Sequence, residues 1–141
     1  MIKLGKDYTW EMSHRLPFHN GWCKNIHGHS YKMRLELVGE LDENGMLIDF
    51  YDIDKVVKPV INSYDHSMLV DEKDEITLKF LKENNFRYVP IKFTSTSENI
   101  AINFAQQFAE EFRKHQNIKE LSVRVYETSD AFAEYSLKLN D

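Results

Sequence analysis

Hydrophobic and polar residues alternate along residues 2–14. Ile2, Leu4, Tyr8, Trp10 and Met12 take one parity, and Lys3, Asp7, Thr9, Glu11 and Ser13 take the other. A period of two predicts a strand with one buried face. The same period returns over residues 27–38, with Tyr31, Met33, Leu35 and Leu37 on one face and Lys32, Arg34 and Glu36 opposite. Asn44-Gly45 is a turn signal, after which Met46-Leu47-Ile48 is expected to turn back as a short strand. The period then lengthens. Ile53, Val56, Val57, Val60 and Ile61 predict a helix from Asp49 or Asp52 to Tyr64, which Pro59 is expected to kink or interrupt. Ile100, Ala101, Phe104, Ala105, Phe108 and Phe112 predict a second helix, with Thr96 or Ser97 as its cap. Alternation resumes in Leu121, Val123 and Val125, and again in Ala131, Ala133, Tyr135, Leu137 and Leu139. Residues 67–93 are the least readable stretch, although Ile76, Leu78, Phe80 and Leu81 suggest a short helix. The order ββ-α-insert-α-ββ predicts an α+β fold, an antiparallel sheet with helices on one face.

Composition narrows this picture without changing it. At 141 residues, 42% of them hydrophobic, the chain suits one domain spanning 1–141. The net charge of −5 comes from acids and bases mixed along the chain, with no basic stripe of the kind that tracks nucleic acid. The first residues hold no apolar signal segment, and no apolar run is long enough to span a membrane. A single cysteine cannot form an internal disulfide, which fits a reducing, cytoplasmic setting.

Side-chain parity gives the histidines a meaning. His14 ends the apolar face of the first strand, and His27 and His29 begin that of the second. Antiparallel pairing of the two strands would bring three imidazoles together at the edge of the core. A single strand-end histidine is ordinarily just a partly buried, hydrogen-bonded side chain. Three on matching faces point instead to a metal site with an open fourth position, and the all-nitrogen donor set favours zinc over iron or copper. His19 and His115 lack this placement and are taken as surface residues.

The lone Cys23, four residues before His27, has three readings. It could be a fourth ligand, a base or nucleophile beside the metal, or a small buried hydrophobe. Its polar neighbours Asn20, Gly21, Lys24 and Asn25 argue against the last, while spacing alone does not separate the first two. Asp65-His66 is either an acid/base pair or a simple turn. Glu98 lies in the first turn of the second helix, where an acid is stabilising in any protein. Glu127 continues the parity of Leu121, Val123 and Val125, so a carboxylate ends a third apolar strand face.

Six segments carry a resemblance. They are SHRLP (Ser13–Pro17), CKNIHGHSY (Cys23–Tyr31), LIDFYDI (Leu47–Ile53), YDHSML (Tyr64–Leu69), TSEN (Thr96–Asn99) and VYET (Val125–Thr128). In this order the chain resembles the 6-pyruvoyl-tetrahydropterin synthase family, with the nearer likeness to the bacterial 6-carboxytetrahydropterin synthases of the queuosine pathway. The three residues between Cys23 and His27 match the short bacterial spacing. The chain departs from compact bacterial members in residues 70–93, where it is longer.

The resemblance implies a T-fold, a four-stranded antiparallel sheet with two helices on one face. Such subunits close into a barrel, commonly a homohexamer built as a dimer of trimers, with active sites between subunits. It also implies residue roles. His14, His27 and His29 would bind Zn2+, Cys23 would be the catalytic base, and Asp65 with His66 the proton-donating pair. Glu98 would anchor the pterin, and Glu127 would lie near the substrate. The implied substrate is 7,8-dihydroneopterin triphosphate, and the implied products are 6-carboxytetrahydropterin, acetaldehyde and triphosphate. The pyruvoyl-forming reaction, which stops before carbon–carbon cleavage, is the rival within the family. A structural zinc module with a closed Cys-His-His-His cage and an unrelated zinc hydrolase are rivals outside it.

Overall fold

The computed structural model describes all 141 residues. Two long strands, β1 (Ile2–His14) and β2 (His27–Gly39), are followed by α1 (Phe50–Tyr64), β3 (Ser67–Asp71) and α2 (Glu75–Glu83). Then come β4 (Tyr88–Ile91), α3 (Ser97–Phe112), β5 (Ile118–Thr128) and β6 (Ala131–Lys138). All six strands form one sheet in the order β4-β3-β1-β2-β5-β6. The four long strands pair antiparallel, as their alternation predicts.

The expected count of four strands is corrected to six. β3 runs parallel to β1, and β4 parallel to β3. The pair of helices that the resemblance implies becomes three, the third being the short helix that Ile76, Leu78, Phe80 and Leu81 suggest. Helices α1 and α3 cover one face, while α2 packs with β3 in a separate small cluster of Met68, Val70 and Leu81. Leu69, of opposite parity, belongs to the main core. β3 is thus apolar on both faces and shows no alternation, which is why its segment is illegible in sequence.

Two local expectations also change. Met46–Ile48 forms no strand. The Asp42 carboxylate accepts from the backbone N–H groups of Asn44 and Met46, and Gly45 adopts φ +79°, so the turn closes on itself. The Leu47 carbonyl, which a strand would pair, instead accepts from the Asn117 side chain. Pro59 does not interrupt α1, which runs unbroken to Tyr64. Its exposed position leaves the carbonyl that lost its partner, that of Lys55, within reach of water.

The core joins the inward faces of the long strands to α1 and α3. Trp10 stacks on Tyr31 and meets the edge of Phe104, which in turn packs against Tyr64 and Phe108. Phe104, Phe108 and Phe112 are wholly buried, and each contributes about 1.5–3 kcal/mol by leaving water. Thr96 is the cap of α3; its hydroxyl accepts from the Asn99 N–H. Gly39 ends β2 where a Cβ would stand 2.1 Å from the Asn117 carbonyl oxygen, so only glycine fits this close approach. The outward face of the sheet is polar and laced by cross-strand pairs such as Asp7–Arg34 and Arg124–Glu134.

Candidate active site

The β1–β2 register builds the centre of the site. His14 pairs directly with His27, and His29 lies opposite Met12. The three rings lie 4.7–5.2 Å apart between centroids, and one donor atom from each falls within 4.8 Å of the others. Carbonyl oxygens only accept, so each bonded Nδ1 must carry the proton. His14 Nδ1 donates to the Ser95 carbonyl at 2.8 Å, and His27 Nδ1 donates to the Asn25 carbonyl at 2.7 Å. This tautomer leaves the Nε2 lone pair free on both rings.

The Nε2 atoms of His14 and His29 are buried without a hydrogen-bond partner. An unpaired buried polar atom costs about 1–3 kcal/mol, and a shared cation would satisfy both. Burial pushes His14 down to about 4, against the pull of the Ser95 carbonyl, and the neighbouring His27 and His29 press the same way as burial. His29 is lowered too, by burial and then by His27. Convergent imidazole donors, two of them buried without a partner for Nε2 and held below the ordinary histidine range, are what a metal requires, so these three residues fit a metal ion.

Glu127, at the end of β5, stands beside them. Its two carboxylate oxygens lie 3.9 Å from His14 Nε2 and from His29 Nε2, too far for hydrogen bonds. Burial raises its carboxyl above the usual range; His27 opposes that rise and the charge on Glu98 adds to it. Glu98 lies in the first turn of α3. Its own carboxylate is exposed at the start of α3 and accepts from the Ser97 hydroxyl at 2.9 Å.

Cys23 lies on a single 3-10 turn, Trp22–Lys24, between the two histidine-bearing strands. Its carbonyl accepts from the Leu16 N–H at 2.8 Å, which folds the loop back toward β1. The half-buried thiol is free, and its sulfur is not among the convergent donor atoms. The geometry therefore does not form a closed Cys-His-His-His cage.

Asp65 and His66 follow α1. The Asp65 carboxylate accepts from the Glu11 N–H and from His66 Nδ1, both at 2.9 Å. The Glu11 N–H, and then His66, hold its carboxyl below the usual range. His66 adopts φ +57°, a left-handed conformation costing a non-glycine residue about 1–2 kcal/mol. It is held there partly by its own N–H, which donates to the Glu11 carbonyl at 2.7 Å. With His29 it lines a cavity of about 590 Å³ that is also lined by Phe80, Phe86 and Arg87. Cys23, Glu98 and Glu127 do not line that cavity.

Two participants escape the sequence reading. Ser95, almost wholly buried, orients His14 through its carbonyl. A serine one residue before a helix cap carries no signal for that role. Tyr31 is the other: its hydroxyl is buried without a partner, and burial together with Glu127 keeps it protonated.

Residues 3–138 match the family described as 6-pyruvoyl tetrahydropterin synthase. The chain belongs to this family. It is 34% identical to a Haemophilus influenzae protein named 6-carboxy-5,6,7,8-tetrahydropterin synthase, over 96% of this chain and 99% of that one. A Rickettsia bellii protein of the same name is 27% identical, over 95% and 99%. Among solved structures, the Plasmodium vivax 6-pyruvoyl tetrahydropterin synthase superposes with a TM-score of 0.78 at 20% identity, covering 97% of this chain and 98% of that one. An uncharacterized Wolinella succinogenes protein reaches 0.82 at 18% identity, covering 95% and 97%. At such identities these structures speak for the fold alone. The T-fold implied by the sequence motifs is therefore present, with two extra strands and a third helix, and the chain is an enzyme of this family.

Proposed function

We propose that the protein converts 7,8-dihydroneopterin triphosphate and water to 6-carboxy-5,6,7,8-tetrahydropterin, acetaldehyde and triphosphate, as a step of queuosine biosynthesis in the cytoplasm. The observation that carries this reading is the convergence of three imidazole donors, two of them buried without a partner, in a chain 34% identical to a protein of that name. His14, His27 and His29 hold the metal, and the all-imidazole donor set favours zinc. Bound there, zinc supplies Lewis-acid polarisation of substrate oxygens.

The remaining steps belong to side chains. Glu98 anchors the pterin, its two oxygens accepting from a ring N–H and the 2-amino group. Cys23, outside the donor set, takes a proton from the substrate side chain. Asp65 fixes the His66 ring through Nδ1, so that Nε2 delivers or receives a proton. Glu127, with its raised affinity for a proton, sits beside the metal ligands and faces the substrate.

Assembly is part of this proposal. Cys23 does not line the cavity that His66 shares with His29, and the outer edges of β4 and β6 are unpaired. A second copy brings the two halves together, in a homohexamer arranged as a dimer of trimers. Light scattering should give a mass several times that of the 16.7 kDa chain; a monomer at micromolar concentration would refute shared sites. No helix is long and apolar enough to cross a membrane, and no partner other than the pterin triphosphate and further copies is invoked.

The deciding experiment incubates the purified protein with 7,8-dihydroneopterin triphosphate, identifies the pterin by mass and assays acetaldehyde. Carboxytetrahydropterin with one acetaldehyde per turnover is expected. The pyruvoyl product without acetaldehyde would move the protein to the rival reaction, and no turnover would reject both.

A further inference from the structure

The proposed chemistry leaves residues 70–93 without a task. Arg87, between α2 and β4, carries the most heavily bonded side chain of that segment. Its Nε donates to the Ser67 hydroxyl at 2.7 Å and to the Asp65 carbonyl at 3.2 Å. Its Nη2 donates to the carbonyls of Asn62 and Ser63, at 2.9 and 3.2 Å. Its own carbonyl accepts from the Met68 N–H at 3.2 Å. These partners lie on both sides of His66 in the chain, and Arg87 shares a cavity wall with it.

Each contact answers a local need. The last carbonyls of a helix have no partner within the helix and form the negative end of its dipole. α1 has no basic residue in its own last turn to meet them. Arg87 supplies both the donors and the charge from a distant element. His66, immediately beyond, holds a left-handed conformation that its own side chain does not favour. Glu11 fixes it on the β1 side, and Arg87 fixes the residues flanking it on the other. A planar guanidinium presents donors on separate, fixed nitrogens, here Nε and Nη2, whereas an ammonium gathers all its donors on one atom at the end of a flexible stem.

We propose that Arg87 is a positioning residue for the Asp65–His66 pair, and that the structural task of the 70–93 segment is to deliver it. This rests on the proton-transfer role given to that pair above.

The test is a double-mutant cycle in the full-length, metal-loaded protein, turning over 7,8-dihydroneopterin triphosphate. Arg87→Ala should lower kcat roughly 10–100-fold, the range for loss of a group that orients a catalytic one, with KM changed less than about twofold and metal content unchanged. Arg87→Lys should recover only part of the loss. In a His66→Ala background, Arg87→Ala should cost nothing further, because the group it positions is gone. A merely structural role would instead multiply the two losses, and that result, or wild-type kcat in Arg87→Ala, overturns the proposal. Should Arg87→Ala fail to fold, Arg87→Lys carries the same cycle. Wild-type turnover in His66→Ala would strike down the pair itself and this role with it. Wild-type turnover in the Arg87 variants alone would leave the pair standing.

Discussion

The His14 side chain is 1% exposed, and its ring is held by Ser95 inside a wall of core residues; the His66 side chain is 76% exposed and stands on a left-handed residue beyond a helix end. Both are candidate working histidines of one enzyme. The first region gains its geometry from strand register, so the ligands are placed by the same pairing that builds the core. The second gains it from a handful of directed hydrogen bonds to Glu11, Asp65 and, through its neighbours, Arg87. Metal ligands must be held rigidly and kept unprotonated. A proton-transfer group must reach solvent or substrate and change charge. The contrast in burial suits the two roles proposed for these histidines.

The strongest way to break the contrast is at the metal. His29→Ala should empty the site, with metal content by mass spectrometry falling from near one per chain to near zero. Turnover should drop by more than the roughly 10–100-fold typical of losing an outer-shell partner. Full metal occupancy in this variant would show that parity placed the histidines together for some other reason.

Cys23→Ala comes next. Loss of a general base costs about 10²–10⁴ in rate, and zinc should stay bound because the sulfur is not among the convergent donors. If zinc leaves with the thiol, Cys23 belongs to the first region as a ligand.

Acid sharpens the comparison in metal-free protein. His14 titrates at about 4 when folded, against an ordinary value of 6.5. The unfolded chain therefore binds the proton first, and the folded state loses stability as pH falls from 6.5 towards 4. The loss is about 3 kcal/mol, since a tenfold difference in proton affinity between the two states is worth about 1.36 kcal/mol. Denaturant melts should show wild type losing about that much more than His14→Asn between pH 7 and 4. Equal losses would mean that His14 is not held neutral by burial.

The smallest expected effect is at Glu98. As a first-turn acid only, Glu98→Gln costs a few tenths of a kcal/mol to about one, and turnover survives. As the pterin anchor, it loses a charge-assisted hydrogen bond worth about 1.5–3 kcal/mol, so kcat/KM falls at least roughly tenfold. Metal content and Tm should stay near wild type. Unchanged kinetics would return Glu98 to a purely structural role.

Legibility in the sequence follows the same division. The long strands and the two main helices announce themselves, because each buries one face and exposes the other. The histidine cluster is legible for that reason, since register transmits parity across a strand pair. Of residues 67–93, only the short helix is legible. β3 is buried on both faces, and its partners β1 and β4 lie elsewhere in the chain, so local pattern carries no trace of the pairing. Met46–Ile48 misleads because the turn signal before it is sound, while the carbonyl partner that diverts it, Asn117, lies 70 residues away.

The α+β layering, the polar and apolar faces of the sheet, and the meeting of His14, His27 and His29 at one strand end are readable along the unfolded chain. These depend on periodicities of two and of 3.6, which are written in neighbouring residues. The proton on His14 Nδ1, the Ser95 carbonyl that orients that ring, the place of Cys23 outside the donor set and the reach of Arg87 back around His66 exist only in the folded chain. Hydrogen bonds of that kind depend on the direction and distance of groups 20 to 81 positions apart in the chain, and no local pattern of residue types records either.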